Sequence, residues 1–116
     1  MSHIKRLHSG PKLSRVLIHN GIVYLCGQVA HDYDADLEEQ TRQTLARIDE
    51  HLAEAGTDRN RILSAAIHVK DISQVARMNA IWGEWLGDGP RPTRHCVQAE
   101  MANPKILVEI TVTAAQ

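Results

Sequence analysis

The chain has 116 residues, of which 43% are hydrophobic and 23% charged, and its formal net charge is -1 at pH 7. A chain of this length can bury roughly two-thirds of its unfolded surface, so the composition predicts one soluble globular domain over residues 1–116. The absence of a basic run, together with only two Trp, two Tyr and no Phe, argues against a nucleic-acid partner.

Nothing in the sequence predicts a secretory or membrane-bound protein. The first residues, Met-Ser-His-Ile-Lys-Arg, lack the apolar stretch of a signal peptide. The longest clear apolar run, Ile22 to Cys26, is far too short to span a bilayer. Cys26 and Cys96 both fall inside predicted strands and show no disulfide framework. We therefore expect a cytoplasmic location and no membrane partner.

The first part of the chain predicts three strands. A short edge strand is expected over His3 to His8, followed by strands over Ser14 to His19 and Ile22 to Cys26. The last two flank Asn20-Gly21, a dipeptide typical of a tight hairpin turn. Gly27-Gln28 ends the third strand, where a glycine permits close approach of the backbone and so flanks a site or simply turns the chain.

The clearest predicted element is a helix that begins after Asp36 and ends at Gly56. Asp36 is a suitable N-cap, Glu39 three residues later resembles a capping box, and Gly56 is a suitable C′ residue. Apart from Thr41 and Leu52, the side chains of Glu38 to Arg42 and Glu50 to Glu54, including His51, are predicted to face water. The buried stripe follows spacings of three and four, and its members are Leu37, Thr41, Leu45, Ile48 and Leu52.

The remaining elements are a strand, a helix and two strands. The strand covers Ile62 to Val69, Asp71 or Ser73 caps the helix, and the last strands cover Pro92 to Gln98 and Lys105 to Val112. This order predicts an α+β fold in which two helices pack on one face of a mixed sheet. The buried side of the second helix is predicted to carry Val75, Met78, Trp82, Trp85 and Leu86.

Two charged residues stand out in the last two strands. Glu109 is the only charged residue after Ile106, so its carboxylate should lie at a sheet edge or beside a partner. Arg94 is the candidate partner, and its planar fork is suited to bidentate capture of a carboxylate. The residues alone leave two interpretations open: a binding site for a substrate carboxylate, or a structural ion pair with Glu109 or a helix acid.

The seven histidines raise the question of a metal site, and the two cysteines that of a nucleophile. No histidine pair has i, i+4 helical spacing and no cysteine cluster is present, so no metal site is expected. Cys96 lies two residues after Arg94, whose charge would favour the thiolate, but a buried, inert strand cysteine is the preferred interpretation.

The segment Pro92-Thr93-Arg94-His95-Cys96-Val97-Gln98, with Glu109 thirteen residues after Cys96, resembles the C-terminal signature of the RidA/YjgF family of imine/enamine deaminases. Three shorter segments, Gly27-Gln28, Val69-Lys70-Asp71 and Met78-Asn79-Ala80, resemble further family motifs in the same order. The resemblance extends from about Ser14 onward.

The resemblance implies a chorismate-mutase-like fold that assembles as a homotrimer with three clefts between subunits. In the family, the position matching Arg94 binds the substrate carboxylate, and the position matching Glu109 holds or activates a water molecule. Main-chain groups near the Cys96 position help to bind the substrate, and the glycine matching Gly27 lies on the cleft wall. Further substrate contacts are expected at Gln28, Asn79 and Leu13.

The activity that the resemblance implies is hydrolytic deamination of 2-enamino or 2-imino acids of the 2-aminoacrylate type. No metal or organic cofactor is expected, because the substrate is already activated. Val29-Ala30 replaces the family's usual proline and Met101-Ala102-Asn103-Pro104 its usual Arg-Leu-Pro, which indicates a divergent branch. The alternative is a non-catalytic trimer that binds small carboxylates in the same clefts and regulates a partner. A nuclease or chaperone-like role has less support.

Overall fold

Over residues 3–116, which the computed structural model describes, six strands form one mixed sheet. Along the sheet the strands follow the order β1-β2-β3-β6-β4-β5. Neighbours are antiparallel except for β4 and β5, which run parallel, so β5 is an edge strand and β6 lies in the middle of the sheet. The strands are β1 Lys5–Ser9, β2 Ser14–His19, β3 Ile22–Leu25, β4 Ile62–Val69, β5 Thr93–Gln98 and β6 Val108–Ala115.

Two helices, α1 Leu37–Glu54 and α2 Val75–Leu86, pack on one face of this sheet. Strand residues alternate between the two faces, so every second residue is buried beneath the helices. The predicted α+β fold, with two helices on one face of a mixed sheet, is confirmed. The helix-facing strand residues of the core are Val16, Ile18, Val23, Leu25, Ile62, Ala65, Ile67, Val69, Val108, Ile110, Val112 and Ala114.

The hairpin between β2 and β3 forms where the sequence predicts it. Asn20 and Gly21 both have positive φ, at 52° and 76°, and His19 pairs with Ile22 directly across the turn. Positive φ at both central residues is the requirement of a type I′ turn, which Asn and Gly tolerate better than other residues.

Helix α1 also begins and ends as predicted. The carboxylate of Asp36 accepts a hydrogen bond from the backbone N–H of Glu39 at 2.9 Å, which satisfies a donor that the helix start leaves free. Gly56 follows the helix with φ of 81°, and the N–H of Thr57 donates to the carbonyl of Leu52 at 2.9 Å.

The buried face of α1 is wider than its hydrophobic pattern predicts. Gln40 is 0% exposed and His51 only 6% exposed, so the prediction that both face water is wrong. Burial of Gln40 is tolerated because its amide is fully bonded. Its Nε2 donates to the carbonyls of Tyr33, Ala35 and Lys105, and its Oε1 accepts from the N–H of Leu107 at 2.9 Å.

Two predicted boundaries move because short turns precede the elements. Asp71 caps a 3-10 turn, Ile72–Gln74, by accepting from the N–H of Ser73 at 3.0 Å, and α2 begins only after that turn. Strand β6 begins at Val108 and not at Lys105, because Asn103 folds the chain into a turn, its Oδ1 accepting from the N–H of Lys105 at 2.8 Å. Neither helix in the described part of the chain is long and apolar enough to cross a membrane.

Candidate functional site

Arg94 and Glu109 lie on opposite faces of the sheet. Arg94 is paired with Ala65, whose buried side chain belongs to the helix-covered face. Glu109 is paired with His68 and alternates with the buried residues of β6, so it belongs to the open face. Within residues 3–116, Arg94 forms no ion pair with Glu109 or with a helix carboxylate. The interpretation of Arg94 as half of an internal ion pair is therefore wrong for the described chain.

Helix α2 holds the guanidinium of Arg94 in place at the sheet edge. Its Nη1 donates to Oδ1 of Asn79 at 2.8 Å, and its Cζ lies 5.7 Å from the ring centroid of Trp82. Asn79 and Trp82 are three residues apart, which places both on the same side of α2. One amide and one aromatic face thus orient the cation, and most of its five N–H groups stay available for a ligand.

The carboxylate of Glu109 lies directly over Gly27. A Cβ built at Gly27 would lie 3.0 Å from Cδ of Glu109 and would overlap one carboxylate oxygen. The backbone of Gln28 fixes this approach, because its N–H donates to the carbonyl of Ile110 at 2.9 Å and its carbonyl accepts from the N–H of Ile110 at 3.0 Å. The expectation of a sheet-edge or partnered carboxylate is wrong: Glu109 is half-buried in a central strand, on the face without helices.

Gln28 and Cys96 are both expected near the substrate, but their side chains are partly buried or bonded within the chain itself. The side chain of Gln28 is buried, and its Nε2 donates to the carbonyl of Cys26 at 3.1 Å. Cys96 shares the helix-covered face with Arg94, and burial raises the pKa of its thiol more than the cation lowers it. The thiol form is therefore favoured, in line with the inert interpretation of this cysteine.

The structure places the expected site residues in two groups, with Leu13 apart from both. Arg94, Asn79 and Cys96 lie at the β5 edge beside α2. Gly27 and Glu109 lie on the open face in the middle of the sheet. Leu13, 53% exposed, lies in the turn between β1 and β2, near the other edge of the sheet.

One neighbour of Glu109 was not singled out from the sequence. His68 lies directly opposite Glu109 across β4 and β6, on the same face. Both side chains line a recess of about 410 Å³ together with the segment 99–102. The pair is recognised from the register between β4 and β6, because the two residues are separated by 40 others in the sequence.

Comparison with known proteins places these groups in a family context. The family described as Endoribonuclease L-PSP matches residues 3–116. A RutC family protein of Haemophilus ducreyi is 40% identical over 112 residues, which cover 97% of this chain and 96% of that protein. RutC family protein YoaB of Escherichia coli is 42% identical and covers 97% of both chains. The chain belongs to the RidA/YjgF family.

Two solved structures share this fold closely. A protein from Neisseria meningitidis, described as a member of the YjgF protein family, superposes with a TM-score of 0.94 at 37% identity and covers 98% of this chain and 95% of that one. An uncharacterized protein from Pseudomonas aeruginosa gives a TM-score of 0.94 at 38% identity, with 98% and 99% of the two chains covered. The six-stranded sheet with two helices is thus shared with a solved member of the YjgF family.

Proposed function

We propose that this RidA/YjgF protein hydrolyses 2-imino acids and their 2-enamino tautomers, of the 2-aminoacrylate type, to 2-oxo acids and ammonium. The observation that carries the proposal is that the guanidinium of Arg94 is held in place but is not paired with an acid in the described chain. Its guanidinium is oriented by Asn79 and Trp82 but has no carboxylate partner within residues 3–116. A cation held in this way is prepared for an anion supplied by a ligand.

Arg94 would bind the substrate through its carboxylate. An imino acid carries this group beside the electrophilic C=N carbon, so two parallel N–H···O bonds would fix both the position and the plane of the reacting centre. The bond from Asn79 and the ring of Trp82 restrict rotation of the guanidinium before the substrate arrives. Attack by water then becomes a positioned event within a complex.

Glu109 would hold the attacking water and move protons. The iminium form reacts as R–C(=NH2+)–COO− + H2O → R–CO–COO− + NH4+. The carboxylate of Glu109 would accept a proton as the water oxygen bonds to carbon, and would return it to nitrogen as the C–N bond breaks. Glu109 lines the recess of about 410 Å³, which is large enough for such a water molecule.

The catalytic cleft would lie between two chains of a homotrimer. Because Arg94 and Glu109 occupy opposite faces of one sheet, a small substrate can contact both only if they come from different subunits. Arg94, Asn79 and the main chain at Cys96 would line one wall. The other wall would carry Glu109, Gly27, the backbone of Gln28, and Leu13.

No metal or organic cofactor takes part in the proposed reaction, since the imine carbon is already electrophilic. Imino acids of this kind are released by pyridoxal-phosphate enzymes. We therefore expect the protein to act beside such enzymes, in the cytoplasm.

The test is a coupled assay with a serine or threonine dehydratase that generates the imine in situ. Release of 2-oxo acid is followed under conditions in which spontaneous hydrolysis limits the rate. We expect acceleration by the wild-type protein and by Arg42→Lys, a change at an exposed α1 arginine, and none by Arg94→Ala. Equal acceleration by Arg94→Ala would remove the arginine from the mechanism.

The same assay separates the alternative function. A folded wild-type protein that gives no acceleration, but whose melting temperature rises in the presence of small 2-oxo carboxylates, would be a carboxylate-binding module. Loss of that rise in Arg94→Ala would place the ligand at the same arginine.

A further inference from the structure

A second group of chemically active side chains lies between β1 and the end of α1. His8, His51 and Glu54 each offer one ligand atom, and these three atoms all lie within 4.8 Å of one another. Nε2 of His8 contacts one carboxylate oxygen of Glu54, and Nδ1 of His51 lies 3.5 Å from the other. None of these residues belongs to the site around Arg94 and Glu109.

The ring of His51 has an unsatisfied nitrogen. Its side chain is 8% exposed, and Nδ1 is buried with no hydrogen-bond partner among the described residues. Buried polar atoms are almost always bonded, so an orphaned nitrogen that faces a carboxylate indicates a missing partner. A metal ion that accepts the lone pair of this nitrogen would supply one.

The backbone of β1 is bent so that His8 reaches the same point. His8 has φ of 54°, a left-handed conformation that is uncommon for residues other than glycine. Leu7 already packs against the core beneath the helices, so regular alternation would turn His8 to the opposite face. The positive φ breaks the alternation, and His8 contacts Glu54 on the helix side. Strain of this kind is concentrated at functional positions.

We propose that His8, His51 and Glu54 bind a divalent transition metal ion of the zinc class. Two imidazoles and one carboxylate are a known ligand set for zinc, and they leave a fourth position for water. Ligand atoms about 2.1 Å from a tetrahedral ion are about 3.4 Å apart. The 3.5 Å between Nδ1 of His51 and Glu54 matches this spacing, whereas the closer contact between His8 and Glu54 has to lengthen as the ion enters. The half-exposed side chains of His8 and Glu54 leave the site open to solvent.

Binding there would connect β1, an edge strand, to the last turn of α1. The ligands are His8 in the strand and a His51–Glu54 pair at i, i+3 spacing on the helix, so the ion would join segments more than 40 residues apart. Because the site exists only in the folded chain, the ion would raise the apparent stability of the protein.

The experiment is a titration of tag-free, metal-free protein with Zn²⁺ by calorimetry and with Co²⁺ by visible absorption. We expect one tightly bound ion per chain and an intense absorption band of tetrahedral Co²⁺. We also expect the melting temperature to rise with Zn²⁺ concentration. His8→Gln and Glu54→Gln, both at exposed residues, should remove the band and weaken binding at least tenfold. Loss of a direct ligand should cost at least as much as loss of an outer-shell partner, for which about tenfold is the lower end. His31→Gln, at an exposed loop histidine, is the matched control and should bind as the wild type does.

The outcomes are decisive in both directions. Unchanged Zn²⁺ affinity in His8→Gln or in Glu54→Gln would overturn the proposal. A loss of affinity in His31→Gln as large as the loss in His8→Gln would also overturn it, because the ion would then bind surface histidines in general. His51→Gln serves as a third variant, and its circular dichroism spectrum is compared with that of the wild type because His51 is buried. The readouts are independent of imine hydrolysis, so failure here leaves the proposed function untouched.

Discussion

The carboxylate of Glu109 occupies the volume that a side chain at Gly27 would need. A Cβ at this position would overlap a carboxylate oxygen of Glu109, and the backbone at Gly27 does not have a positive φ. An alanine is therefore compatible with the backbone at position 27 but not with the present position of the carboxylate. Glycine at position 27 thus leaves space for the Glu109 carboxylate, and is not required by the backbone conformation.

Gly27→Ala should therefore reduce activity without unfolding the protein. The flexible Glu109 side chain can swing away, so we expect a small change in melting temperature and at least a tenfold loss of imine hydrolysis, the cost of misplacing a proton-transfer group. Gly83→Ala is the matched control, because a Cβ there meets no atom within 4 Å and alanine favours a helix. Wild-type activity in Gly27→Ala would show that the position of Glu109 is not limiting.

Arg94→Lys should fail to restore the carboxylate site even though it keeps the charge. An ammonium group cannot form two parallel bonds to a carboxylate, and it lacks the guanidinium that lies over the ring of Trp82. We expect the apparent KM for the imino acid to rise about tenfold or more. The measurement is a full kinetic comparison with Arg42→Lys, and an unchanged KM would mean that Arg94 acts only as a point charge.

Much of the fold is readable from local sequence, because local chemistry decides it. Asn20-Gly21 specifies the hairpin, Asp36 and Gly56 bound α1, and alternation places Arg94 and Cys96 on one face of β5. These features depend on neighbours a few residues apart, which periodicity and turn preferences describe well.

The arrangement of the site depends on long-range pairing that no local pattern contains. Whether Arg94 and Glu109 share a face is decided by how β4 pairs with both β5 and β6, and a shift of one residue would reverse the answer. The contact between His8 and Glu54 joins residues 46 apart in the chain and requires a left-handed residue in a strand. Helical spacing alone cannot reveal such a cluster.

A bonded network beside α2 should make Asp49 important for stability. The carboxylate of Asp49 accepts two hydrogen bonds from Arg59, at 3.2 and 2.6 Å, and one from the indole N–H of Trp85 at 3.0 Å. Asp49→Asn should lower the free energy of unfolding by about 1–2 kcal/mol, because a charged acceptor with several donors is lost. Asp34→Asn, in the more exposed pair with Lys105, should cost clearly less in the same urea titration. Equal losses would show that the network adds nothing beyond a surface pair.

The ion pair between the two helices should make part of the stability depend on pH. A hydrogen bond from Arg77 holds the pKa of Glu38 below its ordinary value of 4.5. Because folding favours the charged form, this contribution is complete above the unfolded pKa and is lost as the pH falls through the lower folded pKa. The stability difference between wild type and Glu38→Gln should therefore shrink when urea titrations are moved from about pH 7 to about pH 3. Glu50→Gln, at an exposed residue without an ion pair among the described residues, should show no such trend.

Two inactive variants should restore activity when they share a trimer. If each cleft takes Arg94 from one subunit and Glu109 from the next, a trimer that mixes Arg94→Ala and Glu109→Gln chains contains some clefts with both native residues. Random assembly from equal amounts would make about one quarter of the clefts intact, because each wall is native with a chance of one half. The chains are refolded together, light scattering confirms three times the 12.9 kDa chain mass, and the coupled assay is compared with each variant refolded alone. A monomer, or a mixed trimer as inactive as its parents, would mean that the two residues do not meet across a subunit boundary.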